Sequence, residues 1–225
     1  MSQYKAVIFD FFGTLTEGRC APEDKIVARW KLDQRERYNY NFVEDVVCGT
    51  ACEIPFTEVE RSRYFKTLIN KLQLPQDSER VLRQIFDDDI VSEKLIGGAI
   101  DMLEYCKSKN YKMGMISDIP NPDYDIAKKL GFDHLFDFRH LSYNAEWVKN
   151  GKYLRVLKPD PAIFRRVLQK LRTEVNETLM IGNSLKSDIT PARKIGMRAI
   201  LVDYHNRFPD DEDRISSLQS LRKIL

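Results

Sequence analysis

One short segment near the start of the chain constrains the fold more than any other. An unbroken apolar run at positions 6–9 leads directly into Asp10, and a turn containing Gly13 and Thr14 follows. Such a run is typical of a strand buried on both faces, as in a parallel sheet. Open α/β sheets bind ligands at the carboxyl ends of their strands, where Asp10 would lie. Because a strand-end aspartate can also simply cap the next turn, its role depends on the other strand ends.

From residue 97 onward, helical and strand patterns alternate. The predicted segments are helix 99–109, strand 111–116, helix 124–130, strand 138–141, helix 161–171, strand 178–181, helix 187–195, strand 198–202 and a last helix over about 214–225. Residues 144–153 are expected to form a loop or an irregular hairpin. This alternation predicts an α/β fold with a Rossmann-like, doubly wound, mainly parallel sheet and helices on both faces.

Residues 16–94 carry helical periodicity and no convincing strand. A serine, Ser78, precedes one of the amphipathic stretches and is expected to cap that helix with its side chain. We therefore predict an α/β core made of residues 1–15 and 95–225, with an all-helical cap at 16–94 inserted after the first strand. A cap in this position would lie over the carboxyl ends of the strands and exclude water from them.

Composition and charge give no support for nucleic acid or a membrane as a partner. The chain has 36 basic and 34 acidic residues, a balance that gives no argument for binding nucleic acid or an anionic membrane. No apolar run is long enough to span a bilayer, and the first residues do not resemble a signal peptide. We expect a cytoplasmic protein whose oligomeric state stays open. The cysteines, Cys20, Cys48, Cys52 and Cys106, are expected to be reduced thiols.

The predicted strand ends carry chemically related groups. Asp10 ends the first strand, Ser117 ends the strand at 111–116, Lys158 precedes the helix at 161, and Asp188 closely follows the strand at 178–181. An aspartate can attack an electrophilic centre and form a covalent intermediate. If that centre is phosphorus, Lys158 and Ser117 can stabilise the transferred group, and oxygen ligands from Asp10 and Asp188 suit Mg²⁺ rather than zinc.

Four motifs in this order resemble those of the haloacid dehalogenase-like hydrolases. They are DFFGTL at 10–15, MISD at 115–118, KPDPAIF at 158–164 and IGNSLKSDI at 181–189. The predicted helical insertion resembles the small helical cap of that family in position and type. The motifs are specific for the superfamily and weak for the substrate.

The resemblance implies roles for individual residues, each of them an expectation. Asp10 would be the nucleophile, with Thr14, Ser117 and Lys158 as its catalytic partners. Mg²⁺ would be held by Asp10, Asp188 and the backbone carbonyl of Phe12. The residues expected to contact a small phosphorylated substrate are Phe12, Gly13, Asp118 and Asn183, although Asp118 can equally cap the turn that follows it.

The chain departs from the family's phosphatases at Phe12. Phosphatases of this superfamily carry an aspartate there, which protonates the leaving alcohol and later deprotonates water. Phenylalanine can do neither, and general acid–base catalysis typically contributes about 10²- to 10⁴-fold. The resemblance to the 2-haloacid dehalogenases, which have tyrosine at this position and need no acid to release halide, is closer here.

The motif that contains Asn183 and Asp188 favours the opposite interpretation. Its Ser-Leu-Lys-Ser-Asp run resembles phosphatase members, and Leu185 stands where dehalogenases carry an asparagine. Three hypotheses therefore stay open. The first is a Mg²⁺-dependent phosphatase with an impaired general acid, the second is a 2-haloacid dehalogenase-like hydrolase, and the third is a degenerate member that binds a phosphorylated ligand or a protein partner without turnover.

Overall fold

The computed structural model describes residues 4–17, 22–34, 42–43, 46–47, 58–118, 125–141, 146–149, 152–155 and 158–225. Its strands are β1 (Ala6–Asp10), β2 (Lys112–Ser117), β3 (Phe138–Leu141), β4 (Glu146–Lys149), β5 (Lys152–Arg155), β6 (Thr178–Gly182), β7 (Arg198–Val202) and β8 (Arg214–Ile215). Six of them form one parallel sheet in the order β3-β2-β1-β6-β7-β8, and β4 and β5 form a separate antiparallel hairpin. The predicted α/β fold with a Rossmann-like parallel sheet is confirmed.

The helices connect these strands. They are α1 (Pro22–Trp30), α2 (Glu58–Lys71), α3 (Glu79–Ser92), α4 (Ala99–Ser108), α5 (Ile126–Lys129), α6 (Pro161–Leu171) and α7 (Thr190–Lys194), with a π-helical turn at Leu185–Ile189 and 3₁₀ turns at Leu32–Gln34, Asp133–Leu135, Val175–Glu177 and Leu218–Lys223. Among the described residues, no helix combines the length and the apolar character needed to cross a bilayer. The cytoplasmic location stays a prediction.

The central strand β1 is buried along its whole length. Alternate residues of a strand point to opposite faces, so Val7 and Phe9 join one hydrophobic cluster while Ala6 and Ile8 join another. The second cluster contains the apolar face of α6. A sheet covered on both faces explains why the sequence of β1 is a continuous apolar run rather than an alternating one.

Helix α6 approaches the sheet closely at Gly114 of β2. A Cβ atom added to Gly114 would lie 2.9 Å from Val167 Cγ1 and 3.1 Å from Leu171 Cδ1. The side chain of Asp160 accepts a hydrogen bond from the N–H of Ala162 at 2.8 Å and caps this helix. The helix therefore begins at a fixed point, three residues after Lys158.

The helical insertion joins the sheet through two neighbouring segments. The N–H of Glu17 donates to the carbonyl of Lys94 at 2.8 Å, and the N–H of Ile96 donates to the carbonyl of Leu15 at 3.0 Å. Helices α1, α2 and α3 lie between these segments in the chain. This pairing agrees with a helical unit inserted at 16–94, but the division into core and cap stays a prediction. Parts of the predicted cap helices, including residues 35–41, lie outside the described residues.

Three local expectations were wrong or incomplete. The last segment is not a helix over 214–225, because Ile215 pairs with Val202 in the sheet and the chain then forms a 3₁₀ turn. Ser78 precedes α3, but its side chain accepts no capping hydrogen bond. Within residues 144–153, the open choice between loop and hairpin resolves to the antiparallel pair of β4 and β5. Cys106 is a buried free thiol, and Cys20, Cys48 and Cys52 lie outside the described residues.

Candidate active site

Asp10 lies at the carboxyl end of β1 and is only 3% exposed. The next turn folds back on this strand end, since the N–H of Leu15 donates to the carbonyl of Phe11 at 2.8 Å. Gly13 adopts a φ of 76° within the turn, a conformation that favours glycine. The turn brings Thr14 Oγ1 to 2.8 Å from Asp10 Oδ2, to which it donates a hydrogen bond. One oxygen of the Asp10 carboxylate is thereby fixed by its own loop.

The ammonium group of Lys158 bridges two carboxylates. Its Nζ lies 2.6 Å from Asp10 Oδ1 and 2.7 Å from Asp188 Oδ1, and the Lys158 side chain is only 7% exposed. Burial lowers the pKa of Lys158, but the charges of Asp10 and Asp188 outweigh it and raise that pKa well above its ordinary value. Lys158 lies on the turn before α6, in the segment where the sequence placed it.

Asp188 is fully buried in the π-helical turn that follows β6. The N–H of Ser184 donates to Asp188 Oδ2 at 3.0 Å, which leaves Oδ1 for Lys158. The strand passes very close to this side chain, because a Cβ added to Gly182 would lie 2.4 Å from Asp188 Cβ. A glycine at position 182 therefore makes room for the second carboxylate.

The amide of Asn183 lies among hydrogen-bond acceptors of Asp10 and of the loop that follows it. With the amide nitrogen assigned to this side, as the surrounding oxygens require, it donates to Asp10 Oδ2 at 3.1 Å and to the carbonyl of Phe12 at 3.2 Å. A Cβ at Gly13 would lie 2.2 Å from this amide. Gly13 and Asn183 thus shape the loop around Asp10, and their predicted contact with substrate stays a prediction.

Ser117 ends β2 and Asp118 follows it, beside the strand that carries Asp10. Asp10 pairs with Ile116 in the parallel register, so Ser117 follows directly. The Ser117 residue is 1% exposed, and its Oγ has no hydrogen-bond partner among the described residues. A buried hydroxyl without a partner is costly unless a ligand completes it. Asp118 is exposed, and its Oδ1 accepts a hydrogen bond from the N–H of Lys158 at 3.3 Å.

Phe12 gives its position in the loop an apolar character. Its ring lies edge-on to Phe11, with centroids 5.0 Å apart and planes at 82°. Phe11 is fully buried and in turn stacks on Phe132. The aromatic side chain packs against the core here and carries no group that can exchange a proton.

Sequence reasoning missed Tyr204, which follows β7 at the same edge of the sheet. Its hydroxyl donates to the backbone carbonyl of Thr14 at 2.8 Å. The loop that carries it is fixed by Asp203, whose carboxylate accepts hydrogen bonds from the N–H groups of Arg207 and Phe208. The sequence did carry a signal for Tyr204, because this residue lies just after the predicted strand 198–202. No role was given to that strand end.

The charges and the ligand oxygens at this edge of the sheet fit a magnesium ion. Burial raises the pKa of Asp10 above its ordinary value, and the charge of Asp188 adds to this rise. The two carboxylates and the one ammonium together leave an excess of negative charge. A second cation would offset that excess. The candidate ligands are oxygens from Asp10, Asp188 and the carbonyl of Phe12, which is the chemistry that Mg²⁺ prefers. Within the described residues, no three His, Cys, Asp or Glu side chains form a metal-binding group by themselves.

Comparisons with known proteins agree with the fold. A family model described as a haloacid dehalogenase-like hydrolase matches residues 4–196. The chain is 30% identical over 216 residues to a glyceraldehyde 3-phosphate phosphatase of Pyrococcus furiosus, covering 91% of this chain and 82% of the relative. It is 27% identical over 145 residues to the protein of that name from Pyrococcus abyssi, and this match covers 63% of the chain and 57% of the relative.

A solved structure extends the likeness in fold to nearly the whole chain. The 2-haloacid dehalogenase of Pseudomonas syringae aligns with a TM-score of 0.63 over 98% of this chain and 97% of the other, at 18% identity. This likeness concerns the fold and not the reaction. Since the family model spans most of the sequence and the relative from Pyrococcus furiosus aligns along nearly all of it, the chain belongs to the haloacid dehalogenase-like hydrolases.

Proposed function

We propose that this chain is a Mg²⁺-dependent phosphatase that hydrolyses a small phosphorylated metabolite, with Asp10 as the nucleophile. The observation that carries the proposal is the bridge of Lys158 to Asp10 and Asp188, at 2.6 and 2.7 Å. Beside it lies the hydroxyl of Ser117, which has no hydrogen-bond partner in the described part of the chain. The names of the relatives from Pyrococcus, both glyceraldehyde 3-phosphate phosphatases, support a small phosphate ester as the substrate class.

Each group has a role set by its charge and its contacts. Asp10 attacks phosphorus and forms an aspartyl phosphate, which water then hydrolyses. Thr14 and Asn183 hold Oδ2 of Asp10 and orient the carboxylate. Lys158 and Ser117 stabilise the charge on the transferred phosphoryl group, the largest demand in this chemistry. Tyr204 holds the carbonyl of Thr14 and so positions the nucleophile loop.

The proposed metal site consists of Asp10, Asp188 and the carbonyl of Phe12. A bound Mg²⁺ would supply further positive charge to the phosphoryl oxygens. The carbonyl of Phe12 already accepts from the Asn183 amide, but a carbonyl oxygen has two lone pairs and can also face a cation.

A 2-haloacid dehalogenase is the second candidate, favoured by Phe12. The ring packs against Phe11, and a halide needs no proton in order to leave. Leu185 opposes this candidate, since it cannot orient the hydrolytic water as an amide would. The two reactions share the nucleophile and differ in the electrophile and in the need for metal.

A parallel assay distinguishes the candidates. With Mg²⁺, we expect the purified protein to release phosphate from p-nitrophenyl phosphate and acetyl phosphate, and to lose this activity when EDTA is added. These substrates have good leaving groups, so the missing acid at Phe12 matters less for them. Chloride release from 2-chloropropionate in the absence of Mg²⁺, with no phosphate release, would support the dehalogenase instead. Inactivity in both assays, together with a raised melting temperature in a phosphorylated metabolite, would support binding without turnover.

Phe12→Asp should raise the turnover of alkyl phosphates. The new carboxyl supplies a proton donor where the family's phosphatases have one, and we expect a gain of about tenfold or more. The measurement is kcat/KM for glycerol 3-phosphate. Phe12→Asn is the matched control, because it introduces a polar side chain of similar size that cannot donate a carboxyl proton. Equal gains for both variants would show that space or polarity, rather than proton transfer, limits the wild-type protein.

A further inference from the structure

We propose that Asp118 donates the proton to the leaving oxygen, the task that Phe12 cannot perform. This inference rests on the proposed phosphatase function and adds a catalytic residue to it. An alkoxide is a poor leaving group, and a positioned acid is typically worth about 10²- to 10⁴-fold. A phosphatase that acts on alkyl phosphates therefore needs a donor at some other position of the site.

Among the described residues, two other groups near Asp10 that could donate a proton, the Asp188 carboxyl and the Tyr204 hydroxyl, are already engaged. Asp10 and Asp188 are buried and both bind the ammonium of Lys158. The hydroxyl of Tyr204 donates to the carbonyl of Thr14, on the loop that carries the nucleophile. Neither Asp188 nor Tyr204 is therefore free to exchange a proton with a leaving group.

Asp118 differs from Asp188 and Tyr204 in exposure and in hydrogen bonding. It is exposed, whereas the preceding Ser117 is buried. Its Oδ1 accepts from the N–H of Lys158, and its Oδ2 makes no hydrogen bond with the part of the chain that the structure describes. Since Oδ1 is held as an acceptor, Oδ2 is the oxygen that can carry a proton.

The position of Asp118 suits the geometry of phosphoryl transfer. The attacking and leaving oxygens lie roughly in line on opposite sides of phosphorus. Asp10 is buried at the base of the site, so the leaving group must depart toward the open side. Asp118 is the exposed carboxyl directly after Ser117, and its hydrogen bond places it against the backbone of Lys158, whose Nζ contacts Asp10. On this basis we place Asp118 on the side where the alcohol leaves.

The protonation state of Asp118 agrees with this role. Although the residue as a whole is exposed, desolvation of its carboxyl raises the pKa to about 6, and the charge of Lys158 opposes this rise. A carboxyl with such a pKa holds a proton in a useful fraction of molecules near neutral pH and can also accept one.

The reaction balances with this single proton carrier. Asp10 forms a bond to phosphorus as the bond from phosphorus to the ester oxygen breaks. The electron pair goes to that oxygen, which takes the proton from Asp118 Oδ2 and leaves as an alcohol. In the second step Asp118 takes a proton from water, whose oxygen bonds to phosphorus as the bond from phosphorus to the Asp10 oxygen breaks and its electron pair returns to Asp10. Inorganic phosphate leaves, and both Asp10 as the carboxylate and Asp118 as the acid are restored.

The test compares two leaving groups in Asp118→Asn. We expect kcat/KM for glycerol 3-phosphate to fall by about 100-fold or more, and that for p-nitrophenyl phosphate to fall by less than about threefold, because nitrophenolate leaves without a proton. Asp101→Asn, the same change at an exposed residue of α4, should leave both values unchanged. Adding Phe12→Asp to Asp118→Asn should restore much of the glycerol 3-phosphate activity.

Equal losses with both substrates would overturn the inference, because they would mean that Asp118 only holds the Lys158 segment in place. An unchanged profile would overturn it as well. A folded double variant that stays as slow on glycerol 3-phosphate as Asp118→Asn would contradict a missing proton as the cause. If the wild-type protein hydrolysed neither ester, the proposed phosphatase function itself would be wrong. That outcome is distinct from one in which only the role of Asp118 is wrong.

Discussion

Asp10→Asn is expected to abolish phosphate release, with kcat falling by about 10⁴-fold or more, as when a covalent nucleophile is removed from other hydrolases. An amide cannot attack phosphorus to form the aspartyl phosphate. The fold should survive, because Lys158 and Asp188 still form a buried pair of balanced charge. The measurements are kcat for p-nitrophenyl phosphate and the thermal unfolding midpoint.

The matched control for this change is Asp101→Asn, which alters an exposed carboxylate on α4. It should keep wild-type kcat and stability. Substantial turnover by a pure preparation of Asp10→Asn would show that another group attacks the substrate.

Lys158→Met should reduce both activity and stability. It removes the positive charge that lies between Asp10 and Asp188, so two buried carboxylates are left without their ammonium partner. Breaking a buried ion pair in this way typically costs about 3–5 kcal/mol. Loss of one stabilising charge in a transition state costs about 10²- to 10³-fold in kcat. The free energy of unfolding in urea and kcat for p-nitrophenyl phosphate measure the two effects.

Lys170→Met is the control for that variant, since Lys170 is an exposed lysine of α6, the helix that follows Lys158. It should change neither quantity. If Lys158→Met kept wild-type turnover, the bridge to Asp10 and Asp188 would have no part in catalysis.

The sequence predicted the centre of the fold well because its signals there are local and strong. The unbroken apolar run ending at Asp10 is typical of a strand buried on both faces, and it lies in the middle of the sheet. The helix at 161–171 has the predicted bounds, since Asp160 caps it and Pro161 suits a first helical position.

The chain's last segment shows where local signals fail. Leu218 and Leu221 are three residues apart, a spacing that fits an α-helix and a 3₁₀ turn equally well. Ile215 pairs with Val202, and that tertiary contact decides the conformation. The hairpin of β4 and β5 had a usable signal in the Asn-Gly pair at positions 150–151, which favours a two-residue hairpin connection.

The candidate site was predictable in composition more than in geometry. The motifs named Asp10, Lys158 and Asp188, but the sequence could not show that one ammonium contacts both carboxylates. It also gave no reason to place the Asn183 amide against the carbonyl of Phe12. Such contacts join distant parts of the chain through the sheet, and no spacing within a single segment encodes them.

The central claim is that Asp10 attacks phosphorus and becomes phosphorylated. Acid quenching of the protein during turnover of acetyl phosphate with Mg²⁺, followed by intact-mass and peptide mass spectrometry, tests it most directly. We predict the added mass of one phosphoryl group on the peptide that contains Asp10, and none in Asp10→Asn. A phosphoryl group on another residue, or hydrolysis at full rate without any phosphorylated protein, would contradict the claim.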